Sequence, residues 1–134
     1  MALDRWIEIS RARSREISRL AASFVEEACR KGDVVLFGSR ARGTWHALSD
    51  WDLALLVRGG EYRVESREFG QVFYIPLEGL GEVLRFSMVV LDIAHDGVLL
   101  CGRGDLWQEF RASVYVYIRE RGLVRTEAGW FPKF

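Results

Sequence analysis

The chain has 134 residues, of which 49% are hydrophobic and 13% aromatic. These values are typical of one globular domain with a buried core, and they exclude a disordered chain. Basic and acidic residues number 19 each, so the net charge is zero and general attraction to nucleic acid is not expected. Because only Lys31 and Lys133 are lysines, the positive charge is almost entirely arginine, whose planar fork matches phosphate oxygens.

Neither the N-terminal segment nor the cysteines suggest export. The segment MALDRWIEISRARSRE is charged where a signal peptide is apolar, and no apolar run reaches the roughly 18 residues that span a bilayer. We therefore expect a cytoplasmic protein without membrane contact. Cys29 and Cys101 lack the spacing of zinc ligands, and in a reducing compartment they are expected to be small core residues rather than a disulfide. His46 and His95 are isolated, which is typical of structural histidines.

Hydrophobic periodicity predicts helices at both ends of the chain. Apolar side chains recur at helical spacing in the first segment, which predicts one or two amphipathic helices ending at Gly32. A second helical pattern covers 105–121, and the aromatic tail after it is expected to pack back on the body. The expected single domain thus has three parts: N-terminal helices 1–31, a core with the candidate site 33–101, and a C-terminal helix and tail 104–134.

The core segment predicts a small β-sheet. Strands are expected, in chain order, at 34–37, at 50–57, once or twice within 61–76, and at 98–101. A short helix is expected over 40–47 with Ser39 at its N-cap. The spacing over 80–94 favours a helix, although 88–93 alone would also suit a strand. The fold class is therefore α/β (α+β), with helices backing the sheet.

Two aspartates, Asp50 and Asp52, stand at the entrance of the second predicted strand. Residues two apart in a strand point to the same face, so the two carboxylates are expected side by side, with Trp51 pointing away. Like charges at this distance raise each other's pKa unless a cation lies between them. Hard oxygen ligands suit Mg²⁺ or Mn²⁺, although an Asp-x-Asp pair is also common as a solvated strand end.

The second candidate feature is the pair Gly38-Ser39, which ends the preceding strand. Glycine lets a ligand approach the backbone closely, and Ser39 together with free N–H groups at a helix start forms an anion pocket. Alone, such a pair is usually a turn, and Arg40 and Arg42 would be surface charges. A phosphate pocket facing metal-binding carboxylates indicates chemistry on a nucleoside triphosphate.

The spacing of these residues matches a known signature. Gly38-Ser39, ten residues, then Asp50-Trp51-Asp52 resembles the GS-x10-D-x-D signature of the minimal nucleotidyltransferases, which belong to the superfamily of DNA polymerase beta. The tripeptide Ala-Arg-Gly at 41–43, within this segment, also resembles the sequences of that family. The resemblance implies the polymerase beta-like nucleotidyltransferase fold, a small mixed sheet backed by helices with the site at one end of the sheet.

The resemblance also implies roles for individual residues. Gly38 and Ser39 would hold the β- and γ-phosphates of ATP, and Asp50 and Asp52 would bind two Mg²⁺ ions and carry catalysis together with Ser39. Position alone suggests that Arg40 or Arg42 neutralises charge on the leaving pyrophosphate.

The family pattern asks for a third carboxylate on a later strand, and the sequence leaves it open. Asp92 would serve as a metal ligand if 88–93 were a strand. Glu68 and Glu65 lie just upstream of the strand expected near Gln71, where the corresponding slot holds no acid. The absence of any third carboxylate is therefore one of the alternatives.

The resemblance implies an enzyme that transfers AMP from ATP to a hydroxyl group of a protein partner. Proteins of this kind are commonly antitoxins of helical HEPN-domain toxins, some of which they inactivate by adenylylating a tyrosine. One alternative is a module that kept the fold, lost turnover and neutralises its partner by binding. Another is transfer to a small molecule or to RNA, for which the chain is short unless a homo-oligomer builds the substrate pocket.

Overall fold

A computed structural model of the protein describes the backbone of residues 2–43 and 49–133, and the side chains of residues 4–43 and 49–133. His46 and the second half of the helix expected over 40–47 lie outside the described residues. In chain order the elements are α1 (Ala2–Ala28), β1 (Asp33–Phe37), α2 (Ser39–Arg42), β2 (Asp52–Val57), β3 (Arg63–Arg67), β4 (Gly70–Pro76), α3 (Leu80–Phe86), α4 (Val89–Asp96), β5 (Val98–Cys101), α5 (Asp105–Arg121), β6 (Leu123–Thr126) and β7 (Gly129–Pro132).

Five of the strands form one mixed sheet in the order β3-β4-β2-β1-β5. The central strands β2 and β4 run parallel, whereas β1 is antiparallel to both β2 and β5, and β3 is antiparallel to β4. β6 and β7 form a separate hairpin. The predicted fold class, a small mixed sheet backed by helices, is confirmed.

Helices cover both faces of the sheet. Alternate residues of each strand point to opposite faces, so Val34 and Leu55 pack with Ile17 of α1, whereas Val35 and Leu56 pack with α3, α4 and α5. Because both faces are covered, β2 reads as the uninterrupted apolar run Leu53–Leu56, all of it buried. None of the described helices is both long and apolar enough to cross a membrane.

Several element boundaries differ from the sequence prediction. The segment 80–94 forms two helices rather than one, because Ser87 takes an extended conformation between α3 and α4. α2 is a short helix that ends at Gly43, whose positive φ terminates it. Ser39 is its first residue and Gly38 occupies the N-cap position, so the prediction of Ser39 as N-cap is wrong. β2 begins at Asp52, which leaves Asp50 just before the strand.

The expectation for the two cysteines is also wrong. Cys29 and Cys101 form a disulfide, and their Cα atoms lie 5.7 Å apart. Cys29 follows the end of α1, which leads directly into β1, and Cys101 ends β5, which pairs with β1. Pairing of the two strands therefore brings together residues separated by 72 positions in sequence, which their spacing does not reveal.

One carboxylate lies inside the core at the start of the sheet. Asp33 is 1% exposed, and its two oxygens accept hydrogen bonds from the backbone N–H groups of Gly104 and Trp107, at 3.1 and 2.9 Å. These N–H groups belong to the first turn of α5, where a helix has no acceptors of its own. Asp33 therefore caps α5 from the neighbouring strand.

Candidate functional site

The candidate site lies at one end of the central strands of the five-stranded sheet, where β1 ends and β2 and β4 begin. Gly38 follows β1, whose last residue Phe37 pairs with Asp52 at the start of β2. Leu53 pairs with Val72 of β4, so the residues that precede them, Asp52 and Gln71, are neighbours on adjacent parallel strands. Three separate strand ends thus meet at one place.

Gly38 and Asp52 are in direct contact. Gly38 has a φ of +77°, and a β-carbon added to it would lie 2.6 Å from Oδ2 of Asp52. Only glycine combines this backbone conformation with so close an approach. The carboxylate of Asp52 therefore lies against the α-carbon of the glycine that opens α2, and the two features singled out in the sequence form one site.

The surroundings of Asp52 disfavour the ionised form of its carboxyl group. Its half-buried position raises the pKa of its carboxyl, and the negative charge of Asp50 raises it further. A hydrogen bond from the backbone N–H of Gln71 and the positive charge of Arg42 act in the opposite direction but do not cancel the shift. A bound cation would offset both effects, because its positive charge stabilises the two neighbouring carboxylates in their ionised form.

The raised pKa predicts that Asp52→Asn stabilises the metal-free protein at pH 7, with a rise in Tm of about 2 °C. The folded state holds the Asp52 proton more tightly than the unfolded state, so ionisation costs stability as pH rises from the ordinary value of 3.8 through the raised folded value. Thermal unfolding in EDTA at pH 7 measures the gain, which should shrink as pH falls towards 3.8. An unchanged or lower Tm at pH 7 would contradict this account.

The segment that carries Asp50 is held by contacts on both sides of Trp51. The backbone N–H of Trp51 donates a hydrogen bond to the backbone carbonyl of Phe69, just before β4, at 2.7 Å. On the other side the guanidinium of Arg40 stacks on the indole at 4.3 Å, and its Nε donates to the Ser49 carbonyl at 3.1 Å. These contacts hold the residues on both sides of Asp50.

The two arginines of α2 have different surroundings. Burial lowers the pKa of Arg40, and the charge of Asp50 opposes this effect. Arg42 is exposed, lies 3.4 Å from Oδ2 of Asp96, and its charge acts on Asp52. Arg40 thus supports the loop by stacking, whereas Arg42 is the arginine with room to meet a ligand in front of Asp52.

Asp92 does not lie on a strand. It belongs to the first turn of α4, where its Oδ1 accepts a hydrogen bond from the Trp130 indole at 2.9 Å and lies 3.7 Å from Arg125. The strand on which its role as a metal ligand depended is therefore a helix. Its contacts tie the β6–β7 hairpin to α4.

The other two candidate acids are also placed elsewhere. Glu65 lies on β3 and forms ion pairs with Arg63 and Arg67. Glu68 is an exposed residue of the turn between β3 and β4. The neighbour of Asp52 on β4 is Gln71. Within 2–43 and 49–133 no group of three or more His, Cys, Asp or Glu side chains is arranged to hold a metal ion.

Comparison with protein families gives a match that includes this site. The model of the nucleotidyltransferase domain matches residues 17–115, which is well over half of the chain. The chain belongs to the nucleotidyltransferase domain family. The comparison with curated proteins finds no match. Among solved structures, one described as a crystal structure of the toxin-antitoxin with AMP-PNP is similar with 19% identity and a TM-score of 0.45, over 68% of this chain and 77% of that chain.

Two contributors to this nucleotidyltransferase site are not signalled by the sequence. The backbone N–H of Gln71 reaches Asp52 only because β4 pairs with β2. Asp96 holds Arg42 from the last turn of α4. Both contacts depend on long-range packing, whereas Gly38, Asp50 and Asp52 lie within one short stretch of the nucleotidyltransferase domain.

Proposed function

We propose that this nucleotidyltransferase binds ATP with Mg²⁺ or Mn²⁺ and transfers AMP to a hydroxyl group of a protein partner. The observation that carries the proposal is the contact between Gly38 and Asp52, which joins a glycine suited to phosphate to a carboxylate suited to a cation. Asp50 lies two residues away and supplies the second carboxylate. We place the reaction in the cytoplasm, as the sequence suggests, where the Cys29–Cys101 disulfide would be exposed to reduction.

The residues present fit one divalent cation shared with the nucleotide. Two carboxylates and phosphate oxygens are the ligand set that Mg²⁺ usually takes in such sites, and the raised pKa of Asp52 is the strain that its binding would relieve. The cation would supply neutralisation of the triphosphate charge. Ser39 and Gly38 would hold the β- and γ-phosphates, as the GS-x10-D-x-D resemblance implies.

In the transfer, the acceptor oxygen bonds to the α-phosphorus and the bond from that phosphorus to the α,β-bridging oxygen breaks. Pyrophosphate leaves with the bond's electrons, and the hydroxyl proton passes to solvent or to a partner group. Arg42 is exposed beside Asp52 and is positioned to neutralise the leaving pyrophosphate. Asp50 and Asp52 would hold the divalent cation that neutralises the phosphate charge.

The acceptor we propose is a HEPN-type toxin, with this chain as its antitoxin. The support is the resemblance of the signature residues to minimal nucleotidyltransferases and the neutral net charge, which does not favour a nucleic acid acceptor. A docked protein also needs no substrate domain within a chain of 134 residues.

A second candidate function is neutralisation of the partner by binding alone. The observation that favours it is Gln71, an amide at the β4 position next to Asp52, where the family pattern asks for a carboxylate. An amide does not bind a hard cation as strongly as a carboxylate or accept the hydroxyl proton. Under this alternative the site binds ATP without turnover.

Calorimetry of ATP binding with Mg²⁺ tests the site itself. The variant Asp50→Ala with Asp52→Ala is expected to bind at least about 100-fold more weakly than the wild type, since two charge-assisted contacts are lost. The matched control removes two exposed acids of α1, Glu26→Ala with Glu27→Ala, and is expected to bind normally. Equal binding by wild type and the site variant would refute the proposed site.

Transfer is measured separately with α-labelled ATP and a purified HEPN-type partner. Label on the partner, absent with the site variant, supports the enzyme. ATP binding and tight partner binding without label support the binding module. In that case Gln71→Asp, which supplies the missing carboxylate, is the variant expected to gain transfer.

A further inference from the structure

The N-terminal half of α1 extends beyond the sheet. Among the described side chains of the helix, those of residues 4–28, the first buried one is Ile17, and the family match also begins there. Before it, Trp6 and Ile7 are 63% and 40% exposed. At 1.5 Å per residue the segment 2–16 is about 22 Å long. A helix of this length that exposes large apolar side chains is poorly stable in water without a partner.

A hollow lies along one face of this extension. It is shallow and open to solvent, and is lined by Trp6, Ile7, Ser10, Arg11, Ser14 and Arg15. Ser10 and Ser14 are one turn apart and too small to fill the surface between the larger residues. The face therefore carries a large apolar side chain at its N-terminal end and a gap towards its C-terminal end.

The charges on one flank of the same extension are arranged in two halves. Asp4 and Glu8 are one turn apart in the first half, and Arg11 and Arg15 are one turn apart in the second. At 100° per residue these four side chains fall on one flank of the helix, beside the hollow. Reversing the helix about the midpoint between residues 9 and 10 sets position 4 opposite 15 and position 8 opposite 11.

We propose that the N-terminal halves of α1 from two copies of the chain pair antiparallel. Asp4 and Glu8 of each copy meet Arg15 and Arg11 of the other, and each Trp6 enters the gap beside the other copy's Ser10 and Ser14. The same surface thus serves both copies, as two-fold symmetry requires. The choice of a second copy rests on this self-complementarity of charge and shape, and it is independent of the nucleotide site.

Sedimentation velocity of the full chain across a range of concentrations tests the proposal. The wild type is expected to be a dimer, and Trp6→Gln is expected to raise the dimer dissociation constant at least about 10-fold. Ile9→Gln is the matched control, because Ile9 is 54% exposed on the same extension but does not line the hollow. Circular dichroism checks that both variants keep the helix.

Charge reversal tests the antiparallel direction. Glu8→Arg alone is expected to weaken the dimer, and Glu8→Arg combined with Arg11→Glu is expected to restore it, since the opposite charges meet again across the axis. Three results would overturn the proposal: a monomeric wild type at every concentration, equal weakening by Trp6→Gln and Ile9→Gln, or no recovery in the double reversal. Loss of ATP binding would leave these outcomes unchanged.

Discussion

Replacement of Asp33 by alanine is expected to lower the free energy of unfolding by about 3 kcal/mol. The carboxylate is 1% exposed and accepts two backbone hydrogen bonds, from Gly104 and Trp107. Alanine would leave both N–H groups buried without an acceptor and would remove the cap of α5. Hydrogen bonds to a charged acceptor exceed the usual 1 kcal/mol, so the loss should be larger than that of an ordinary helix cap.

Urea unfolding measures this loss as a lower midpoint with an unchanged slope. Asp33→Asn keeps one acceptor oxygen and is expected to lose less than the alanine variant. Asp105→Ala is the control, because Asp105 lies exposed in the same first turn of α5 and should change stability by under about 0.5 kcal/mol. A loss below about 1 kcal/mol for Asp33→Ala would mean that water replaces the carboxylate.

Gly38→Ala is expected to weaken ATP binding at least about 100-fold. The added methyl would lie 2.6 Å from Oδ2 of Asp52, and the φ of +77° is unfavourable for alanine. Either the carboxylate moves away from the site or the start of α2 shifts. Both changes separate the residues that we propose to hold the phosphates and the cation.

Gly43→Ala is the control for a second glycine of positive φ beside α2. Gly43 has a φ of +75°, close to that of Gly38, but no described atom lies within 4 Å of its added β-carbon. Gly43→Ala should lose about 1–2 kcal/mol of stability and keep ATP binding, because its ψ of 13° places it in the left-handed helical region, which other residues reach at this cost. Gly38→Ala should lose more stability, and ATP binding as well, because its ψ of −157° belongs to a region almost confined to glycine and its methyl meets Asp52. Calorimetry measures the loss of ATP binding and urea unfolding the loss of stability for each variant. If both variants lost binding equally, the contact between Gly38 and Asp52 would not be the cause of the loss.

Much of the fold was predictable because its signals are local. The strand over Leu53–Leu56 and the helix over 105–121 each follow from residues within a few positions. The helix expected over 40–47 instead ends at Gly43. The division of 80–94 into two helices was not predictable, because Ser87 interrupts a periodicity that continues on both sides of it. The disulfide was missed because strand pairing, not spacing, brings Cys29 to Cys101.

The candidate site was predictable to the extent that one stretch of chain builds it. Gly38 and Asp52 meet because β1 and β2 are antiparallel neighbours joined by a short connection. The residue that takes the place of a third carboxylate depends on which strand lies beside β2. The parallel pairing of β2 with β4 sets Gln71 beside Asp52, and this pairing has no local signature in the sequence. The different surroundings of Arg40 and Arg42 likewise depend on Trp51 and on Asp96 from another helix.

The disulfide divides the oxidised chain into a ring and two open arms. The ring runs from Cys29 to Cys101 and contains all five strands of the larger sheet, and therefore Gly38, Asp50 and Asp52. Closing a loop of 72 residues removes conformational freedom from the unfolded ring worth about 4 kcal/mol in the chain-entropy account. The arms, α1 and the segment from α5 onward, lie outside the closed loop but pack against its strands. Reduction of this bond, at the opposite end of β1 from Gly38, would therefore lower the stability of the sheet that carries the candidate site.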